Sequence, residues 1–182
     1  MALEHAILVS LAEKSASGYD LARRFDKSIG HFWKASHQQI YKTLARMESD
    51  KWVESHLVEQ TGRPDKKDYA ITVEGRAELR RWTGEVTPPE ALRSEFAVKL
   101  RGLQFGDREA VLAGVRRRRD EHRAQLDFYL ADAAKTFPEP AAVPEELRGA
   151  YLVLRGGIRA EQGGIEWCEE ILDYLDSEEA ER

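Results

Sequence analysis

The chain has 182 residues, 28 Lys+Arg against 33 Asp+Glu for a net charge of −5, 42% hydrophobic and 34% charged residues, and a single cysteine. Those figures describe one globular domain or two small ones, and exclude a disordered tail, a disulfide framework and any multi-cysteine metal site. No stretch approaches the ~20 apolar residues a membrane-crossing helix needs. The opening Met1-Ala2-Leu3-Glu4-His5 lacks a basic n-region and a cleavage site, so a cytoplasmic protein without membrane attachment is expected.

Charge is divided unevenly. Residues 1–84 hold 14 basic and 12 acidic side chains, residues 85–182 hold 14 and 21, which suggests two halves with different tasks.

In chain order, Leu3, Ala6, Ile7, Leu8, Leu11 and Ala12 recur at helical spacing. Ser17-Gly18-Tyr19-Asp20 places a Ser three residues before a carboxylate, a capping-box start for a second helix through Leu21, Ala22 and Phe25 that fades near Gly30. Ser36-His37-Gln38-Gln39 repeats the capping signal for a third, with Ile40, Leu44 and Met47 as its apolar stripe. The period then changes. Trp52 to Val58 reads as a strand, as does Tyr69-Ala70-Ile71-Thr72-Val73, and Thr61-Gly62-Arg63-Pro64-Asp65-Lys66-Lys67 between them supplies turn chemistry and a basic tip. Thr72 can cap a fourth helix carrying Ala77, Leu79 and Trp82, and Thr87-Pro88-Pro89 is a boundary.

Helices followed by a β-hairpin are the element order of a winged helix-turn-helix. The remainder predicts an all-α domain. Residues 90–104 form one amphipathic segment, Asp107 caps a long helix to about Lys135, and Phe137 to Pro144 is a loop. A last helix over about 145–176 carries Leu147, Tyr151, Leu154, Ile158, Ile165, Cys168, Leu172 and Leu175, a heptad seam interrupted at Glu161 that requires a partner helix.

Ser17-Gly18-Tyr19-Asp20-Leu21, Gln39-Ile40-Tyr41 with Leu44 and Met47-Glu48, Gly62-Arg63-Pro64, and Tyr69-x-Ile71-Thr72-x-x-Gly75 together resemble the PadR family of bacterial transcriptional regulators. Phe25 to Trp33 and the helical second half resemble the subgroup with a virulence-activator-type C-terminal domain. The resemblance implies a mainly α protein: a winged helix-turn-helix DNA-binding domain over 1–84, with three to four helices and a two-stranded β wing, and an all-α dimerisation and effector domain over 89–182. It further implies a homodimer joined through its C-terminal helices, usually a repressor, that binds double-stranded DNA and in many members releases it to a small aromatic or lipophilic effector. Lys42 follows Tyr41 where the family commonly has proline, a departure common in this subgroup.

The residues themselves say how DNA would be held. With Ile40, Leu44 and Met47 turned inward, the opposite face of the third helix presents Gln38, Gln39, Lys42 and Arg46 to base edges. Ser36 and His37 stand at the helix N-terminus, where backbone N–H groups can meet phosphate. Arg63, Lys66 and Lys67 on the wing would contact phosphates. Tyr41 adjoins the apolar stripe, and packing and phosphate contact remain alternative roles for it.

Other features carry two readings each. Arg116-Arg117-Arg118-Arg119 is a solvated face paired with Glu161, Glu166, Glu169 and Glu170, or a second DNA contact. Cys168 is a small buried hydrophobe, or a redox sensor. Gly156-Gly157 and Gly163-Gly164 mark a bend, or close packing of another backbone. Trp33, Tyr151 and Trp167 line an effector pocket near the domain junction, or are ordinary aromatic core. The five histidines have no metal-ligand spacing, and no nucleophile elbow, P-loop, dinucleotide fingerprint or HExxH motif occurs, so no enzyme and no cofactor are expected. The competing class is a winged-helix protein-interaction or ligand-binding module without direct DNA contact.

Overall fold

A computed structural model describes residues 2–27, 35–58, 66–87 and 93–180. Trp33, Arg63 and Pro88-Pro89 lie outside the described residues. The chain divides into two compact units, residues 1–90 and 91–182.

The first unit runs α1 (Ala2–Glu13), β1 (Ala16–Ser17), α2 (Gly18–Lys27), α3 (His37–Ser49), β2 (Val53–Val58), β3 (Lys66–Ile71) and α4 (Val73–Thr83). Its core joins Ile7, Leu8 and Leu11 of α1 to Leu21 and Phe25 of α2, Ile40, Leu44 and Met47 of α3, and Val53 and Tyr69 of the sheet. Ser17 caps α2: its Oγ accepts from the Asp20 amide at 3.1 Å and donates to the Asp20 carboxylate at 2.8 Å.

Two details depart from the sequence reading. The wing is part of a three-stranded antiparallel sheet in the order β1-β3-β2, because Ala16 and Ser17 pair with Tyr69 and Asp68. Lys66 and Lys67 are not on the turn itself; they open β3 and pair with Val58 and Leu57.

The end of α3 fixes where the wing begins. Trp52 N–H donates to Met47 O at 2.9 Å and Lys51 N–H to Glu48 O at 3.1 Å, the paired bonds of a Schellman turn. Lys51 therefore sits at φ 60°, a left-handed conformation usually given to glycine. Thr72 caps α4 by accepting from Gly75 N–H at 3.0 Å while donating to Lys51 O at 2.6 Å. Gly75 has no room for a side chain, since a Cβ there would lie 2.1 Å from Trp52 O.

The second unit holds α5 (Glu95–Arg101), α6 (Arg108–Thr136) and α7 (Arg148–Ala180), with 3₁₀ turns at Leu103–Phe105, Pro140–Ala142 and Glu145–Leu147. Within the amphipathic segment expected over 90–104, residues 95–101 form α5, and Gly102 separates it from the first 3₁₀ turn. Asp107 caps α6 by accepting from Ala110 N–H at 3.0 Å.

The seam of α7 packs on α6 in two apolar clusters: Leu112 and Val115 with Cys168, Leu172 and Leu175, and Tyr129 and Phe137 with Leu154 and Ile158. Between them lies a polar layer in which His122 Nδ1 and Glu161 Oε2 are 2.5 Å apart. The heptad interruption at Glu161 is this contact between the two helices. Each glycine doublet faces α6 with its second member only. A Cβ at Gly164 would lie 2.7–2.9 Å from the His122 ring and one at Gly157 3.1 Å from the Tyr129 ring, whereas Gly156 and Gly163 meet nothing within 4 Å. Close packing, not a bend, explains Gly157 and Gly164.

Candidate nucleic-acid interface

Helix α3 begins in a complete capping box. Ser36 Oγ accepts from Gln39 N–H at 3.3 Å, and Gln39 Oε1 accepts from Ser36 N–H at 2.8 Å. This fixes the first turn but engages the Gln39 carbonyl oxygen, leaving its amide N–H₂ for other work. Ile40, Leu44 and Met47 are fully buried, and Thr43 joins them. The amphipathic pattern consequently turns His37, Gln38, Gln39, Tyr41, Lys42 and Arg46 outward.

These outward side chains are not equivalent. Arg46 is held by the carboxylate of Glu4 from α1, a buried residue 42 positions earlier. The sequence presents Arg46 as an exposed base reader; in the fold its half-exposed guanidinium is paired with that carboxylate of α1. Lys42 carries no ion pair among the described residues, and Gln38 lies one turn before it on the same exposed face.

Tyr41 lies over the start of α2. A Cβ added to Gly18 would be 2.3 Å from Tyr41 Cε1, so the glycine of the Ser17-Gly18-Tyr19-Asp20 motif is the floor on which this ring rests. Tyr41 nevertheless remains half-exposed. Sequence reasoning passed over the neighbouring Tyr19, which is exposed at the N-terminus of α2 with the Arg23 guanidinium 6.0 Å from its ring centre. Its place in the capping motif was the only signal available.

On the wing, Lys66 Nζ lies 3.6 Å from Asp68 and 3.8 Å from Asp20. Lys67 Nζ donates to Glu48 Oε2 at 2.8 Å and stands 5.3 Å from the Tyr69 ring centre. Glu48 also accepts from the Ser55 hydroxyl. Lys67, then Ser55, hold the Glu48 carboxyl below its ordinary range, and Glu48 in turn raises the Lys67 ammonium.

The other sequence candidates separate. Tyr151 packs edge-on against Phe137 with centroids 5.3 Å apart, and Phe137 lines a cavity of about 230 Å³ with Pro138, Val143, Pro144 and Leu147. Trp167 packs edge-on against Phe96, also at 5.3 Å. Sixteen residues of α7 separate Tyr151 from Trp167, about 24 Å of helix, so the two do not line one pocket in this chain.

Arginines 116, 117 and 119 pair with Glu109, Glu121 and Asp120 of their own helix, each at 3.0 Å, and not with α7 as their charge suggested. Arg118 stacks on Phe96 at 4.7 Å. An α6 arginine that does pair with an acid of α7 is Arg123, with Glu169 at 2.5 Å. Cys168 is buried, and burial pushes its thiol up, the opposite of a reactive thiolate. Among the described residues no cluster of His, Cys, Asp and Glu could hold a metal ion, and no helix is long and apolar enough to cross a membrane.

The Transcriptional regulator PadR-like family matches residues 7–81, and the Virulence activator alpha C-term family matches residues 92–176. The chain is 49% identical to the "Probable transcriptional regulator Rv1176c" of Mycobacterium tuberculosis, over 96% of this chain and 98% of that one. The chain belongs to the PadR-like family of transcriptional regulators. This PadR-like regulator is also 28% identical to the negative transcriptional regulator PadR of Bacillus subtilis, over 97% and 98% of the two chains. Crystal structures of that protein superpose with a TM-score of 0.85 in complex with operator DNA (27% identity, covering 96% and 99%) and 0.80 in complex with p-coumaric acid (28% identity, covering 96% and 96%). The Vibrio cholerae virulence activator AphA matches with a TM-score of 0.78 at 31% identity, covering 96% and 98%. The mainly helical architecture with a small antiparallel sheet is that of these PadR and AphA folds.

Proposed function

We propose that this PadR-like regulator is a homodimeric repressor that binds a palindromic operator through α3 and the wing, and that a small aromatic or lipophilic molecule releases it. The observation that carries the reading is the outward face of α3: Gln38 and Lys42 exposed one turn apart, beside a wing bearing Lys66 and Lys67, in a fold that superposes on DNA-bound PadR. Gln pairs bidentately with adenine and Lys contacts guanine. His37, Ser36 and Gln39 flank them at the helix start, Tyr41 and Arg63 complete the candidate contacts, and Arg46 contributes by holding α3 against α1. The net charge of −5 does not oppose this, because exposed charges are screened beyond ~8–10 Å at physiological ionic strength.

The homodimer rests on a second heptad on α7. Gly149, Val153, Gly156, Ala160, Gly163, Trp167, Glu170 and Tyr174 follow one another at spacings of four and three, and all are exposed. Arg148, Arg155 and Arg159 occupy the first half of the helix, and Glu166, Glu170, Asp173 and Asp176 the second. Two copies laid antiparallel about Ala160 would set Val153 against Trp167, glycine against glycine, and each basic half against an acidic one. The effector is supported by the likeness to the p-coumaric acid complex and by the aromatic pairs at Tyr151 and Trp167. Trp33 completes that set of candidates.

Fluorescence titration against the DNA upstream of its own and neighbouring genes, with salt varied, tests the reading. Binding whose log affinity falls linearly with log salt supports it. Indifference to every fragment at low ionic strength refutes it and leaves the protein-interaction module as the explanation of the fold.

A further inference from the structure

The basic residues on the candidate interface differ in what already holds them. Lys42 is open, whereas Lys67 donates to Glu48 at 2.8 Å. That carboxylate also takes the Ser55 hydroxyl, so one side chain of α3 clasps both strands of the wing. Both partners stay accessible, Lys67 half-exposed and Glu48 about one-third exposed, so a phosphate approaching the wing meets an ammonium that already has an anion beside it. An exposed pair of this kind contributes little to stability, which leaves its effect on the charge offered to DNA as its larger consequence.

We propose that Glu48 sets the strength of sequence-independent DNA binding by competing with backbone phosphates for Lys67. The proposal rests on the DNA-binding reading above. Phosphate contacts supply nearly all non-specific affinity, whereas base edges supply discrimination. A carboxylate that occupies one wing cation therefore holds down binding to unrelated DNA while leaving Gln38 and Lys42 untouched. It raises specificity by subtraction.

Glu48→Gln separates this role from that of a simple strut. The amide oxygen still accepts from Ser55, but the side chain no longer carries the charge that retains Lys67. The test is an anisotropy titration of a 30-base-pair duplex of unrelated sequence with the full chain, from 50 to 200 mM salt. Wild type, Glu48→Gln, Lys67→Ala, the double variant and Ser55→Ala are compared, each first shown to be folded by circular dichroism and melting. The expected result is several-fold tighter binding by Glu48→Gln at 50 mM. Its salt slope should be steeper by about 0.9 per subunit on the duplex, so that its advantage shrinks about threefold per subunit at 200 mM. Ser55→Ala should keep the wild-type slope, and Glu48→Gln made in the Lys67→Ala background should leave the slope of that background unchanged.

Three results overturn the proposal: a folded Glu48→Gln chain with wild-type slope, an equal slope increment in the absence of Lys67, or the same increment from Ser55→Ala, which would assign the effect to wing position. If Glu48→Gln melts early, the comparison of Lys67→Ala with Ser55→Ala decides: only Lys67→Ala should weaken binding, and equal effects of the two refute the idea. A wild-type chain that ignores duplex at 50 mM removes the DNA reading itself, whereas one that binds without responding to Glu48 removes this proposal alone.

Discussion

Adjacent glycines of α7 should respond to alanine with opposite signs. At Gly164 the new Cβ would sit 2.7, 2.8 and 2.9 Å from three atoms of the His122 imidazole. The ring must withdraw by roughly 0.7 Å to reach ordinary contact distances near 3.5 Å. It cannot do so and keep the 2.5 Å bond to Glu161, because both side chains lie between α6 and α7 with about four-fifths of their surfaces covered. Overpacking costs about 1–3 kcal/mol, the lost bond to a largely enclosed carboxylate about 1–3 kcal/mol, and alanine returns about 1 kcal/mol of helix propensity. The net is about 1–5 kcal/mol of destabilisation. Gly163 has nothing within 4 Å, so Gly163→Ala should gain about 1 kcal/mol. For a unit of some 90 residues these correspond to a fall of about 4 °C or more and a rise of about 4 °C in the melting of residues 91–182. Differential scanning calorimetry of dilute full-length protein reads both. A Gly164→Ala variant melting at or above wild type would refute the account of helix packing. Gly163 also lies on the outer heptad, so a loss on Gly163→Ala confined to high protein concentration would report a second copy seated there.

Three further predictions concern the first unit. Gly75→Ala drives a Cβ to within 2.1 Å of the Trp52 carbonyl oxygen and cannot be absorbed by a side-chain rotation; it should destabilise by about 2–3 kcal/mol in urea unfolding, and a change below 1 kcal/mol would show that α4 shifts freely. Lys51→Gly relieves a positive φ and should stabilise by up to about 1 kcal/mol, with a loss arguing that Lys51 contributes through its side chain. Glu78 is held at about 2 by Arg81 and then by His5, which stacks on Trp82 at 4.3 Å. A depressed carboxyl adds stability above its unfolded value near 4.5 and loses it as pH falls toward 2. Melting followed from pH 5 to 2 should therefore fall less steeply in Glu78→Gln than in wild type, and parallel curves would exclude this pair as an acid-sensitive contact.

What was readable in the sequence is what depends on near neighbours. The Ser36–Gln39 box, the Ile40/Leu44/Met47 stripe and the Thr72 cap each need only one or two turns of chain, and each has the expected geometry. The doubled glycines announced a constraint, but which member faced α6 depended on the register of two helices. The two-residue β1 was invisible because it has no alternation of its own and exists only through Tyr69 and Asp68. The pairing of Arg46 with Glu4 and of Lys67 with Glu48 joins residues 42 and 19 apart, and a helix face read alone cannot show which of its charges the fold has already used. For the same reason, composition pairs the α6 arginines with α7 acids, whereas closer partners lie on their own helix.

Selection from a pool of random DNA duplexes, followed by affinity measurement on the enriched sequences, tests the function most directly. The account predicts a two-fold symmetric site whose half-site centres are about 34 Å apart or a multiple of that, losing preference at one base pair per half-site in Lys42→Ala. A pool that emerges unenriched at low salt, or an asymmetric site bound by a single subunit, would contradict it.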